Sequence, residues 1–88
     1  MIRTPGFQVV KVDRDYMAVP VGKRAASFDG VVKLSESGAL IFRALEEEKT
    51  LSELTDMIVS EYDVDPATAA ADVEKIVRTF IEYGMVSE

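Results

Sequence analysis

The 88-residue sequence contains no cysteine, no histidine and no tryptophan. Without cysteine the chain forms no disulfide and offers no thiolate ligand to a metal ion. Without histidine it lacks the commonest metal ligand and the usual general base at neutral pH. Carboxylates remain for acid–base chemistry, but the sequence places no pair of them in a credible cleft. These absences argue against an enzyme and predict a binding protein.

Long apolar runs are also missing. No run approaches the roughly 18 residues that span a bilayer, and none follows the charged start of the chain as a secretory signal requires. We therefore expect a cytoplasmic protein that does not bind membranes. The apolar share of 48% and the charged share of 30% are typical of a soluble globular domain. The length predicts one domain over residues 1–88.

Charge is divided unevenly along the chain. Residues 1–34 carry six basic and three acidic side chains, whereas residues 35–88 carry four basic and thirteen acidic ones. A helix that reads nucleic acid usually has a basic face. The last predicted helix has only Lys75 and Arg78 against four carboxylates, so we expect no nucleic-acid partner. Those carboxylates are Asp65, Asp72, Glu74 and Glu82.

The first third of the chain has the pattern of β-strands. Segments 7–12 and 16–21 are rich in β-forming residues, and the turn signal Asp13-Arg14-Asp15 between them predicts a hairpin. Residues 23–27 are interpreted as a loop. Val31 to Leu34 is predicted as a short third strand that leads into the first helix. Together these segments form a three-stranded antiparallel sheet with a free edge.

Three helix-start signals follow the strands. Ser35 is an N-cap candidate, Thr50 forms a capping box with Glu53, and Asp65 precedes a proline at the first helical position. Gly84 ends the third helix at the C′ position. Strands followed by three helices in so short a chain predict an α+β fold that is winged helix-turn-helix-like.

Five short segments occur in a characteristic order and spacing: Val32–Ala39, Lys49–Leu51, Glu61–Val64, Asp72-Val73 and Gly84–Val86. In these segments the chain resembles the PqqD family, the peptide chaperones of pyrroloquinoline quinone biosynthesis. The similarity spans about residues 7–86. Relatives called RiPP recognition elements occur in the biosynthesis of ribosomally synthesised, post-translationally modified peptides. The chain departs from the family pattern at Ser35, where the family has asparagine, and at Glu48, where it has glycine.

The resemblance implies a protein that binds the leader segment of a precursor peptide as an added strand. In the family the peptide pairs with the third strand, in a groove against the third helix, and is delivered to a modifying enzyme. An unpaired strand edge offers the N–H and C=O groups that such a peptide needs. The resemblance also implies no cofactor in this chain. A radical S-adenosylmethionine enzyme is a natural partner, with cyclases, proteases and dehydratases as alternatives.

The predicted peptide-binding residues lie on the third strand and on one flank of the third helix. Side chains alternate between the two faces of a strand, so only one of Val31 and Val32 can present its side chain to the peptide. We predict the helix flank with Ile81, which extends the apolar arc, and with Arg78, which would meet an acidic leader residue beside Lys33. Val77 belongs to the core as well. The predicted residues are Val31, Val32, Lys33, Leu34, Ala70, Glu74, Val77, Arg78 and Ile81; the opposite flank has Asp72, Thr79 and Tyr83.

Two other functions stay open. The first is a winged-helix DNA-binding regulator. The second is a self-associating structural domain whose edge strand pairs with a second copy, so the protein is a monomer or a homodimer through that edge. A metal site at Asp63, Asp65 and Asp72 is not predicted, because the spacing lacks the glycine and distal glutamate of a calcium loop. The sequence does not identify the precursor peptide or its modification.

Overall fold

The computed structural model of the chain describes residues 1–27 and 30–87. The predicted α+β fold is confirmed, with a three-stranded antiparallel sheet that precedes three long helices. No described helix is long and apolar enough to cross a membrane. The elements are β1 (Ile2–Arg3), β2 (Phe7–Val12), β3 (Asp15–Pro20), α1 (Arg24–Ser27), β4 (Val32–Leu34), α2 (Glu36–Ala44), α3 (Leu51–Tyr62), α4 (Pro66–Glu82) and β5 (Val86–Ser87).

The larger sheet has the strand order β2-β3-β4, so that β4 is an edge strand. β2 and β3 form the predicted hairpin, whose turn contains Asp13 at a φ of 55°. In β4, Leu34 lies opposite Tyr16 and Val32 lies opposite Ala18. Leu34 is buried and Val32 packs against the core, whereas the alternating Lys33 is exposed. This alternation places one face of β4 against the helices.

Two local predictions were wrong. The strand predicted for residues 31–34 is β4, and it begins at Val32. Val31 precedes the residues that pair with β3 and is 55% exposed. Residues 23–27 were interpreted as a loop, but they include α1. Gly22 adopts a φ of 59°, and the Arg24 N–H donates to the Val21 carbonyl at 3.2 Å, which begins the helical turn. The Arg24 guanidinium also lies 5.8 Å from the centre of the Phe7 ring, a tertiary contact that no local pattern announces.

The three long helices begin where their caps were predicted. Ser35 Oγ accepts a hydrogen bond from the Gly38 N–H at 3.0 Å. Thr50 and Glu53 form the reciprocal capping box, with hydrogen bonds of 3.0 and 3.1 Å. The Asp65 carboxylate accepts from two amides in the first turn of α4. Each cap satisfies backbone N–H groups that the helix itself leaves unpaired.

The capping box makes stability depend on pH. Hydrogen bonds from Thr50, chiefly from its backbone N–H, hold the pKa of Glu53 below its ordinary value. A carboxyl group whose pKa is lower in the folded protein than in the unfolded chain stabilises the fold at pH values above its unfolded-state pKa. This stabilisation is lost as the pH falls through the lowered pKa of the folded state. Glu53→Gln keeps a carbonyl acceptor but does not ionise. We expect its free energy of unfolding to fall less than that of the wild type between about pH 5 and pH 3, as measured by urea unfolding. Equal losses of unfolding free energy in the wild type and in Glu53→Gln would contradict the lowered pKa of Glu53.

A second, two-stranded sheet was not predicted. It pairs β1 with β5, and it is extended by hydrogen bonds from the Arg3 N–H to the Leu45 carbonyl and from the Thr4 N–H to the Met85 carbonyl, both 2.8 Å. α4 ends in a Schellman motif with Gly84 at a φ of 72°. This turn buries Met85 completely and directs the chain back toward its first residues.

The core is organised around Phe42, which is fully buried. Its ring meets those of Phe7 and Phe80 edge-on, with centroids 6.1 and 5.3 Å away. The Arg3 guanidinium lies 5.2 Å from the centre of the same ring. Phe42 therefore joins the larger sheet, α2, α4 and the first strand in one cluster. α4 contributes its buried face to this core through Ala69, Val73, Val77 and Phe80.

Candidate functional site

An open groove of about 310 Å³ lies between β4 and α4. β4 forms one wall, the groove-facing side of α4 forms the other, and the first turn of α2 closes one end. β4 leads directly into α2, and α4 is joined to α2 by the contact of the Phe80 and Phe42 rings, which leaves the groove open between β4 and α4. Its lining residues are Val32, Lys33, Leu34, Ser35, Ser37, Gly38, Asp72, Lys75, Ile76, Thr79 and Phe80.

The floor of the groove is apolar. Leu34 and Phe80 are 7% and 3% exposed, and Ile76 is half-buried. At the α2 end, Gly38 keeps the space open, because a Cβ atom there would lie 3.1 Å from Ser35 Oγ and 3.9 Å from the Phe80 ring. A floor of this kind binds apolar side chains by removing their surface from water.

The rim of the groove carries Lys33 and Lys75 against one carboxylate, Asp72. Lys33 Nζ lies 3.6 Å from an Asp15 carboxylate oxygen, and both side chains are exposed, so this pair is weak. Lys75 forms no ion pair with any described residue. The groove itself is thus lined by two cationic side chains and one anionic side chain, in a chain of net charge −6. Within residues 1–27 and 30–87 no group of three or more acidic side chains is arranged to hold a metal ion.

The outer edge of β4 borders the groove. β3 pairs with one edge of β4, and no other strand within the described ranges pairs with the opposite edge. An edge of this kind presents backbone N–H and C=O groups without strand partners. An extended peptide in the groove can therefore pair with β4 and place alternate side chains on the apolar floor.

The structure divides the predicted site residues into two groups. Val32, Lys33 and Leu34 line the groove, whereas Val31 lies just before it. On α4, the groove is lined by Asp72 and Thr79 of the opposite flank. The remaining predicted residues, which are Ala70, Glu74, Val77, Arg78 and Ile81, do not line it.

The rotation of α4 explains this division. The helix is oriented by its core face, and Val77 on that face is 3% exposed and so is covered by the protein itself. Glu74 and Arg78 line a neighbouring hollow, which shares Lys75 and Thr79 with the groove, and they pair with each other at 2.7 Å. Their role in peptide binding stays a prediction, and the geometry favours the flank beside β4. Sequence reasoning did not include Lys75 or Ile76 among the site residues; the half-burial that marks Ile76 appears only in the structure.

Two solved structures share this fold. One is TbiB1 in complex with the TbiA(beta) leader peptide, with a TM-score of 0.73, 21% identity and 100% of both chains covered. The other is a lasso peptide synthetase B1 complexed with the leader peptide, with a TM-score of 0.74 and 22% identity over 98% of this chain and 95% of that one. At these identities the likeness establishes the fold.

Sequence comparison gives the family. No curated protein matches the chain. The family model described as coenzyme PQQ synthesis protein D (PqqD) matches residues 17–86, and this range covers most of the chain, from β3 to β5. It includes both walls of the groove. The chain therefore belongs to the PqqD family.

Proposed function

We propose that this protein binds the leader segment of a ribosomally synthesised precursor peptide as an added β-strand and delivers it to a modifying enzyme. The single observation that carries the proposal is the unpaired edge of β4 beside an apolar groove. Membership in the PqqD family supports it, and so do two structures of the same fold that hold leader peptides.

The short β4 determines how selectivity arises. A strand of three residues offers few main-chain hydrogen bonds to an added peptide, so contacts in the groove must supply the rest of the affinity. Alternate peptide side chains would lie over Ile76 and Phe80, while Lys33 and Lys75 would meet a carboxylate at the rim. A rim pair of this kind contributes at most about 1 kcal/mol.

In this proposal the chain is a recognition domain over residues 1–88 and not a catalyst. The chemistry is performed by a partner enzyme in the cytoplasm. A radical S-adenosylmethionine enzyme is the first candidate from family analogy, and a cyclase, a protease or a dehydratase are the alternatives. The groove offers apolar surface, two ammonium groups and one carboxylate, which suit binding better than bond cleavage.

Amide hydrogen exchange tests strand addition directly. A synthetic leader segment, copied from a precursor encoded beside this chain, should slow exchange at Val32, Lys33 or Leu34, because the outward amides of β4 become hydrogen-bonded. β2 is the other edge strand of the same sheet, so its outward amides serve as an internal control and should be unchanged. Protection of both edges would indicate general stabilisation. Dimers at rising concentration, or salt-dependent binding of duplex DNA without leader binding, would favour the alternative functions.

Charge reversal identifies the flank of α4 that faces the peptide. Lys75→Glu should weaken binding of an acidic leader about five- to tenfold, because an attractive rim contact becomes repulsive. Arg78→Glu is the matched control, since this side chain is exposed and lies outside the groove. Fluorescence anisotropy with a labelled leader segment at two salt concentrations measures both dissociation constants. A larger loss for Arg78→Glu would support the flank that the sequence favoured.

A further inference from the structure

A second hollow of about 370 Å³ lies among α2, α3 and α4. It adjoins the groove, since four residues line both spaces: Ser35, Ser37, Asp72 and Ile76. The first turn of α2 borders both spaces. Because Ser35 follows Leu34 directly, the hollow lies at the Leu34 end of β4.

The walls of the hollow are apolar. Ile41 and Ile58 supply side chains that are 0% and 5% exposed, and Tyr62 and Val64 add half-buried surface at the end of α3. Glu36, at the start of α2, lies at the mouth. The hollow is thus an apolar recess with a polar entrance, the arrangement expected of a site that accepts one side chain.

The Tyr62 ring gives this recess a defined polar edge. Burial raises the pKa of Tyr62, and the Glu36 carboxylate raises it further, both by its charge and as a hydrogen-bond acceptor. The Tyr62 hydroxyl therefore lies near the Glu36 carboxylate at the polar side of the hollow. Such an edge leaves the apolar part of the ring facing the recess, where it can pack against an aromatic or large aliphatic side chain.

We infer that this hollow is a second anchor for the same leader peptide, and that it takes one large apolar side chain from outside the added strand. The inference rests on the proposed function. Backbone pairing with a three-residue strand specifies register weakly, because a shift of two residues keeps both the hydrogen-bond pattern and the face of the peptide that lies on the groove floor. An anchor beyond the ladder removes this ambiguity. Recognition then requires both a strand-forming segment and an apolar residue placed beyond it.

Methyl NMR of the wild-type protein provides the first test. The ligands are the full synthetic leader segment and a shortened peptide that keeps only those peptide residues whose own amides exchange slowly in the complex. The full segment should shift the methyl resonances of Ile58 and Val64, and the shortened peptide should not. Equal shifts with both peptides, or none with either while binding persists, would overturn the second anchor. Binding of neither peptide would instead overturn the proposed function.

A filling variant provides the second test. Val64→Trp occupies the hollow and should weaken binding of the full segment by at least about tenfold, while the shortened peptide binds as it does to the wild type. Ser60→Trp places the same side chain at an exposed position of α3 outside the hollow and should change neither affinity. Thermal unfolding confirms that both variants fold. Unchanged affinity of the full segment for a folded Val64→Trp protein would contradict the inference.

Discussion

Thr79→Trp is expected to reduce leader-peptide affinity by about 30-fold or more, which corresponds to about 2 kcal/mol. Thr79 is exposed on α4 and lines the groove opposite β4. Its hydroxyl donates to the Lys75 carbonyl within the helix at 3.1 Å, so its loss leaves no buried polar group unpaired. An indole at this position would occupy much of a groove of about 310 Å³ and exclude the peptide side chains from the floor.

Arg78→Trp is the matched control for this variant. It places the same indole one residue earlier, about 100° around the helix and outside the groove. We expect its dissociation constant, measured by anisotropy or calorimetry, to stay within about twofold of the wild type. Loss of binding in Arg78→Trp with normal binding in Thr79→Trp would place the peptide on the other flank of α4. Equal loss in both would indicate a nonspecific effect of the indole.

Phe42→Ala should lower the free energy of unfolding by about 3–5 kcal/mol. This residue is fully buried, and its ring contacts two other phenylalanine rings and the Arg3 guanidinium. The truncation leaves a cavity where the larger sheet, α2, α4 and the N-terminal strand meet. Small domains have a total stability of about 5–15 kcal/mol, so the variant is expected to lose a large share of its stability.

Urea unfolding monitored by circular dichroism measures this loss, and Leu51→Ala serves as the comparison. Leu51 is 43% exposed at the start of α3, so its truncation should cost less than about 1 kcal/mol. A loss for Phe42→Ala no larger than that of Leu51→Ala would contradict the central position of Phe42 in the core. Addition of a leader segment should recover part of the stability of Phe42→Ala if its groove still forms, since binding to the folded state favours folding.

The helix starts were predictable because their signals are local. An N-cap such as Ser35 or Asp65 bonds to amides two or three residues away, so its effect is contained in adjacent sequence. The same holds for the hairpin at Asp13 and the C-terminal glycine of α4. The extent of the third strand was less accurate. Whether Val31 joins the ladder depends on the reach of β3, which lies more than ten residues earlier.

The sequence by itself determined the order of the three-stranded sheet and the three long helices, the caps, the acidic helical half and, through the spacing of short segments, the PqqD family. Only the tertiary structure decided which flank of α4 faces β4 and that β1 pairs with β5. Helical periodicity identifies a core face but treats the residues on either side of it alike. Long-range contacts break that symmetry: packing against α3, and of Phe80 against Phe42 of α2, orients α4 so that Lys75 and Thr79, and not Arg78, border the groove.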